Sequence, residues 1–402
     1  MIAFSIDDRK ILSAMNKILM VSMFFPPTFG GASVQSLRLA KELIKQGCEV
    51  EFLSDNATKP TIYNDQYDGV VVTRLKTYSE NLHSKLRELI FSIKLIKFLL
   101  FRPDLKIVHF HAIRGLELLT FPIIRLMGKK VILKLTLVGV DDPLAFKRRK
   151  LLSPLFMWGL RSANHMIAIS EELKQRSYQA GFDDRVVKKI FNGFDEENFF
   201  IPDAAQKAAL RTQLAIPPNA PVFLSVGKVE HRKGYDLLLQ AFVDIQKSMP
   251  QAALVVVGPD NVESNSYYLS LQDFIAKHQL QNIYFVGRQY NVHEFTKASD
   301  YFLFCSRQEG FGTVMIEAMA CGLPTIAMNI QGVTEDIVTD NRIGVINYSH
   351  DPAEFAQQAL SLIKDVKQEN IQAAVKTLSE KFSISNIAKS YIHLYRQLSD
   401  HQ

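Results

Sequence analysis

Glu309 and Glu317 are the residues of this sequence best placed to do chemistry together, and seven residues separate them. Glu317 lies in Val-Met-Ile-Glu-Ala-Met-Ala, a segment that is otherwise apolar on every side. A helix that is apolar all round is buried, and a carboxylate inside one is costly unless something hydrogen-bonds it. The partner is a backbone N–H, an Arg, or a hydroxyl-rich ligand. Glu309 stands in the polar loop Ser306 to Gly312, directly after the apolar run Tyr301 to Cys305. Ligands of open α/β sheets bind just outside the strand carboxyl ends, which is where this loop falls if the run is a strand. The loop glycines Gly310 and Gly312 also let N–H groups at a helix start approach an anion.

Lys228 and Lys233 occupy a second loop of the same kind, between an apolar run, Pro221 to Val226, and a helical stretch, Tyr235 to Met249. Two loop lysines are ordinarily solvated surface, but before a helix N-terminus they stand where phosphate binds. Gly30 and Gly31 follow the apolar run Lys17 to Phe24 and precede a helical stretch, Ala32 to Gly47. They suit a tight turn and a phosphate-approach loop equally. His109 and His111 end the run Ile107 to His111 and share one face by strand alternation.

These groups need a frame of alternating strands and helices, and the rest of the chain supplies one. Further strands are predicted at Glu49 to Leu53, Gly69 to Leu75, Val131 to Leu137, His165 to Ile169, Ala252 to Val257 and Ile283 to Val286, and Asp351 to Gln402 reads as helical. Such alternation predicts parallel, doubly wound sheets. Residues 1–16 read as a leader, with Met15 an alternative start. Residues 17–198 read as a first domain, with about 384–402 packing back on it, and residues 199–383 as a second. Asn198 to Pro221, with four prolines, reads as the linker, with a weak helix, Ala204 to Leu214, inside it.

The stretch Glu309 to Glu317, with Gly310-Phe311-Gly312 inside it and Glu-Ala-Met-Ala-Cys-Gly-Leu-Pro after, resembles the signature of the retaining family-four glycosyltransferases of the GT-B fold. That resemblance implies two Rossmann-like domains facing an interdomain cleft. It implies that Glu309 contacts donor-sugar hydroxyls and Glu317 the ribose. It places Gly310, Phe311, Gly312 and Thr313 under the sugar and diphosphate. Gly31, with Gly30, approaches the diphosphate, Lys228 and Lys233 bind it, backbone groups around Val286 hold the base, and His111 faces the reaction centre, with His109 in reserve. The chain departs from the family where Thr136-Leu137-Val138-Gly139 replaces a Thr-x-His-Gly run, and Lys228 stands where Arg is common. Asp141 and Asp142 either replace the missing His as acceptor ligands or cap the next helix. The implied activity is metal-independent hexosyl transfer from a nucleotide-sugar co-substrate, most commonly a UDP-sugar, to a saccharide or lipid-linked acceptor in cell-surface polysaccharide or glycolipid synthesis. A sugar-nucleotide epimerase, a phosphorylase and a non-catalytic binding protein of the same fold are the other classes open.

Composition narrows the partners. The three cysteines, Cys48, Cys305 and Cys321, lie far apart without metal spacing, which fits a reducing cytoplasm, and there is no Asp-x-Asp for a metal. No cofactor and no nucleic-acid partner is expected. Residues 1–200 carry 30 Lys and Arg against 21 Asp and Glu, whereas residues 201–402 carry 17 against 20. The basic half contains Ser84 to Arg102, a cationic apolar helix, and Lys147-Arg148-Arg149-Lys150 followed by Leu-Leu-Ser-Pro-Leu-Phe-Met-Trp. Both suit a buried domain surface or a peripheral contact with an anionic membrane.

Overall fold

The computed structural model describes residues 17–23, 25, 30–56, 63–77, 84–149, 151–259 and 265–400. The leader reading of residues 1–16, the Pro26-Pro27 pair and Lys150 lie outside the described residues. The chain divides into two compact units, Met1–Gly193 with Ile384–Gln402, and Phe194–Ser383. Each is an α/β sheet covered by helices, of the Rossmann-like kind that the sequence led one to expect.

In the first unit the elements run β1 (Lys17–Ser22), α1 (Gly31–Lys45), β2 (Val50–Asn56), β3 (Tyr63–Tyr67), β4 (Val70–Lys76), α2 (Ser84–Leu100), β5 (Leu105–His111), a 3-10 turn (Leu116–Leu119), α3 (Thr120–Leu126), β6 (Lys130–Lys134), α4 (Pro143–Lys147), α5 (Ser153–Arg161), β7 (His165–Ala168), α6 (Glu171–Gln179) and β8 (Val187–Lys189). Among the described residues the sheet order is β3-β4-β2-β1-β5-β6-β7-β8. Its pairs are parallel except β3 with β4. Strands covered on both faces read as continuous apolar runs, as Ile-Leu-Met-Val in β1 does. The antiparallel edge was not expected from the sequence. Asp68 and Gly69, at φ 51° and 82°, form its two-residue turn, and Asp-Gly between strand-forming residues is the signal that marks it.

The second unit runs α7 (Ala204–Gln213), β9 (Val222–Val226), a 3-10 turn (His231–Lys233), α8 (Tyr235–Ser248), β10 (Ala253–Val257), α9 (Ser266–His278), β11 (Ile283–Phe285), α10 (Val292–Ala298), β12 (Tyr301–Phe304), α11 (Thr313–Ala320), β13 (Thr325–Met328), α12 (Thr334–Ile337), β14 (Gly344–Asn347), α13 (Pro352–Asp365) and α14 (Gln368–Phe382). Its sheet, all parallel, is ordered β11-β10-β9-β12-β13-β14. The segment expected as a linker belongs to this unit instead. Asp203 caps α7 in a capping box with Gln206, and Arg211 donates to the carbonyls of Ala298, Pro218 and Ala220 while pairing with Asp300 at 2.6 Å.

The last helix, α15 (Ile384–Asp400), returns to the first unit. A Cβ on Gly193 would lie 2.7 Å from the Ile384 Cα, so only glycine admits the start of this helix. Ile387, Ala388, Tyr391 and Tyr395 join the core built on β1, β2 and β5. Beneath the helix lies a buried polar seam. The Tyr395 hydroxyl is 2.8 Å from His109 Nδ1, the His109 and His111 rings stack at 4.1 Å, and Lys134 Nζ sits 5.6 Å from the Tyr391 ring centre. Burial first, and the neighbouring cationic groups second, hold both imidazoles well below their ordinary range.

Burial alone brings the Lys134 ammonium from 10.5 down to about 7. Across that window the folded protein holds a neutral amine while the unfolded chain binds the proton. The stability tied to this site is therefore present above pH 10.5 and is lost as pH falls to about 7. Lys134→Met removes the titration. It should stabilise the protein by a few kcal/mol near neutral pH and by little near pH 10. Urea unfolding at both pH values checks this, and an equal effect at both refutes it.

Candidate functional site

Strand order dictates where the site of the second unit falls. From β9 the chain winds outward to β10 and β11, and from β12 it winds the other way to β13 and β14. The carboxyl ends of β9 and β12, paired through Phe223–Tyr301 and Leu224–Phe302, therefore flank the topological switch point, where a crevice opens. The loop after β9 carries Lys228 and Lys233, and the loop after β12 carries Glu309.

Several contacts lock these loops together. Arg307 N–H donates to the Arg232 carbonyl at 2.7 Å, and Arg232 Nη1 donates to the Gln308 carbonyl at 3.2 Å. Gly234 has φ 68°, and a Cβ there would stand 1.9 Å from the Cys305 carbonyl oxygen. The Arg307 guanidinium forks onto Asp236 at 2.8 and 2.6 Å, and the Tyr267 hydroxyl donates to the same carboxylate at 2.5 Å. Burial pushes the Asp236 carboxyl up, but Arg307 and Tyr267 outweigh it, and the group is held below the usual carboxylate range.

Held this way, Lys233 Nζ forms an ion pair with Glu309 Oε1, and Arg232 Nη1 lies 3.5 Å from Oε2. The Lys233 and Glu309 side chains are only 13% and 11% exposed, so the pair is screened little by solvent. Lys228 is 50% exposed and stands outside this pair, 3.4 Å from Glu230, which also binds Arg232 at 2.6 Å. Glu317 is buried within α11. Gly312, in the left-handed region at φ 88°, starts that helix and offers no side-chain cap; Phe311 packs inward, 5.8 Å from Phe382. The Val286 N–H is already donated to Val256, and its carbonyl accepts from Gln289 at 2.7 Å. Arg232 was not singled out from the sequence; the run His231-Arg232-Lys233 was the available signal. Asp236, Arg307 and Tyr267 left no spacing signal, because their contacts join three separate elements.

The first unit repeats the topology. Its order reverses between β1 and β5; Gly30 and Gly31 follow β1, and His111 is the last residue of β5. Gly30 is extended at φ −167°, and its N–H and carbonyl both bond the Ser33 hydroxyl. Among the described residues, a Cβ on Gly30 or Gly31 would meet nothing within 4 Å. His111 is 2% exposed, and its Nε2 has no hydrogen-bond partner among the described residues. Asp142 caps α4 through the Ala145 N–H at 2.9 Å and binds Arg176 at 3.1 Å. Asp141 accepts from Thr136 and Leu137, and burial pushes it up to about 6. Both aspartates thus hold the turn between β6 and α4.

Two parallel α/β units, each with glycine-bearing or cation-bearing loops at its switch point, are the architecture of enzymes that handle nucleotide-linked substrates. The model described as Glycosyl transferases group 1 matches residues 206–377, and that described as Glycosyltransferase Family 4 matches residues 29–198. The chain belongs to this glycosyltransferase family and is a transferase enzyme. It is 25% identical over 379 residues to the N-acetyl-alpha-D-glucosaminyl L-malate synthase of Bacillus anthracis, covering 92% of this chain and 94% of that protein. It is 27% identical over 214 residues to the lipopolysaccharide core mannosyltransferase LpsB of Rhizobium meliloti, covering 52% of this chain and 60% of that one. Among solved structures, Anabaena Alr3699/HepE in complex with UDP and glucose superposes with a TM-score of 0.73 at 19% identity, over 94% of this chain and 99% of that chain.

Gly234 and Gly287 share the left-handed conformation, at φ 68° and 67°, but only Gly234 has backbone in the way of a Cβ. Gly287→Ala should lower stability by about 1 kcal/mol, the conformational cost alone. Gly234→Ala should lose at least about 2 kcal/mol more, because the Cys305 loop must move. Paired denaturation curves test the difference, and equal losses would show that the close approach carries no energy.

Proposed function

We propose that this protein is a retaining, metal-independent glycosyltransferase that moves a hexose from a nucleotide sugar, a UDP-sugar being the favoured donor, to a saccharide or lipid-linked acceptor. The proposed setting is cell-surface polysaccharide or glycolipid synthesis at the cytoplasmic face of a membrane. One observation carries the donor half: Lys233 and Arg232 converge on Glu309 at the switch point of the second sheet. Transfer breaks the bond between the anomeric carbon and the diphosphate, so negative charge grows on the leaving oxygens. Fixed cations in a partly dry site stabilise that charge without reorganising. Lys233 and Arg232 supply them, with exposed Lys228 as a further cation. Glu309 then serves the sugar hydroxyls and Glu317 the ribose. The open space over Gly30 and Gly31 suits close approach of the diphosphate to backbone.

Retention is read as front-face attack, with the departing phosphate oxygen taking the acceptor proton. The neutral His111 keeps an Nε2 that is unpartnered among the described residues as a hydrogen-bonding group for a hydroxyl, once a ligand displaces the side chains covering it. The donor reading draws support from the Anabaena structures with UDP and UDP-glucose, and the acceptor reading from the lipopolysaccharide-core activity in the name of LpsB. Among the described residues no helix is long and apolar enough to cross a membrane, so contact with a lipid-borne acceptor would be peripheral.

The test is a nucleotide-sugar thermal-shift screen followed by product mass measurement. Nucleoside diphosphate should appear only when acceptor is present; its release without acceptor points to hydrolysis or epimerisation. Lys233→Ala should lower kcat on the order of 100-fold, about 3 kcal/mol of transition-state stabilisation. Full activity in that variant sinks the charge argument. Excess chelator should leave the rate unchanged, and abolition would overturn metal independence. Gly31→Ala should keep the melting temperature and raise the donor KM; an unchanged KM removes the loop from the donor site.

A further inference from the structure

We propose that α3, α5 and the turn before α5 form a docking face for the headgroup zone of an anionic bilayer. The inference deepens the membrane setting proposed above and does not depend on the donor chemistry.

Helix α5 is apolar on two sides. Phe156, Met157 and Leu160 point into the unit, where α5 packs on the 3-10 turn and on α3. Leu155 and Trp158, three apart and on one face, are 48% and 52% exposed, and Leu151 in the preceding turn is 94% exposed. Its neighbour α3 repeats the pattern. Phe121 and Ile124 are buried, while Ile123 and Leu126 are exposed, Leu126 at 89%. Scattered exposed leucines need no explanation, but outward apolar stripes on two adjacent helices do.

Charge chooses the occupant. From Thr120 to Lys134 and from Pro143 to Arg161 there is no acidic residue at all. Arg148 and Arg161 are exposed and form no ion pair among the described residues, and Arg125 reaches only the Lys129 carbonyl at 3.3 Å. Arg149 is committed inward, stacked 4.5 Å over Phe146 and donating to the Arg114 carbonyl. An apolar face ringed by cations and free of carboxylates matches acyl chains beneath anionic headgroups, with Trp at the boundary. The cationic segment Ser84 to Arg102, helix α2 and the turn after it, contributes less charge than its sequence suggests. Arg87 pairs with Asp55 at 2.6 Å, Arg102 with Glu51 and Asp104 at 2.8 and 2.7 Å, and Lys94 donates to the Lys76 carbonyl.

Trp158 is the sole tryptophan of the chain, so its fluorescence reports this face directly. The full-length protein is titrated with vesicles of equal phosphatidylglycerol and phosphatidylcholine, some with brominated acyl chains. Trp158 emission should shift to the blue and be quenched by the bromines, whereas phosphatidylcholine alone should give neither. The double variant Arg148→Glu/Arg161→Glu should bind at least roughly tenfold more weakly. A Leu151→Ser/Leu155→Ser variant should lose the quenching. Melting temperature and UDP-induced thermal shift, measured on the same samples, should be unchanged in both variants, which separates failure of this face from failure of the donor reading. Unaltered emission with anionic vesicles overturns the proposal. So does emission already blue-shifted without lipid together with a sedimenting dimer, which assigns the face to a second copy of the chain.

Discussion

The approach of Gly234 to the Cys305 carbonyl is the constraint on which the second unit's site depends. It lets the loop after β9 lie directly against the loop after β12, although those strands are far apart in sequence. The Arg307 N–H bond to the Arg232 carbonyl and the Arg307–Asp236 fork hold that approach from both ends. Lys233 reaches Glu309 as a consequence. A long ammonium side chain loses substantial rotamer freedom when fixed. Here that entropy is offset by backbone contacts made elsewhere in the loop, so the ion pair itself need not supply it.

The first unit solves a different problem. Its C-terminal helix must cover a sheet face that carries two imidazoles and an amine. Tyr391 and Tyr395 do so with aromatic bodies that fill the core and with a hydroxyl that meets His109. The rings are held neutral because burial penalises their charged forms. This seam is a poor stabiliser compared with an apolar one, since both Nε2 atoms and the Tyr391 hydroxyl have no hydrogen-bond partner among the described residues. These polar groups gather at the carboxyl ends of β5 and β6, the edge that the proposed function assigns to the reaction centre.

Most strands and helices were legible in the sequence because parallel strands buried on both faces print as unbroken apolar runs, while helices print their caps. Ser170 before Glu171 is a cap of this kind. The edge strand β3 was not, because Tyr-Asn-Asp-Gln-Tyr has no apolar run to show. Asn198 to Pro221 was misread as a linker for a similar reason. Its anchor is one arginine, Arg211, whose partners lie in distant loops. At the site, spacing placed Glu309, Glu317, Lys228 and Lys233 on the correct loops and helix. It did not show that Lys228 stands apart or that Arg232 takes the nearer position, because such differences arise from the 3-10 turn at His231–Lys233.

Charge balance is what that turn achieves. Lys228, Arg232 and Lys233 face Glu230 and Glu309, three cations against two carboxylates joined in one chain of ion pairs. The cluster is thus neutralised to within one charge, which limits the self-repulsion that unpaired cations would impose on the fold. A diphosphate entering on the proposed reading meets cations already oriented by Glu309 and by the locked loop. It need only compete for them, not assemble them. Lys228, the most exposed of the three and the farthest from Glu309, is the member that can swing without breaking the lock. The same arrangement would explain why a lysine suffices there. A mobile point charge asks for reach, whereas the fork of an arginine asks for fixed geometry.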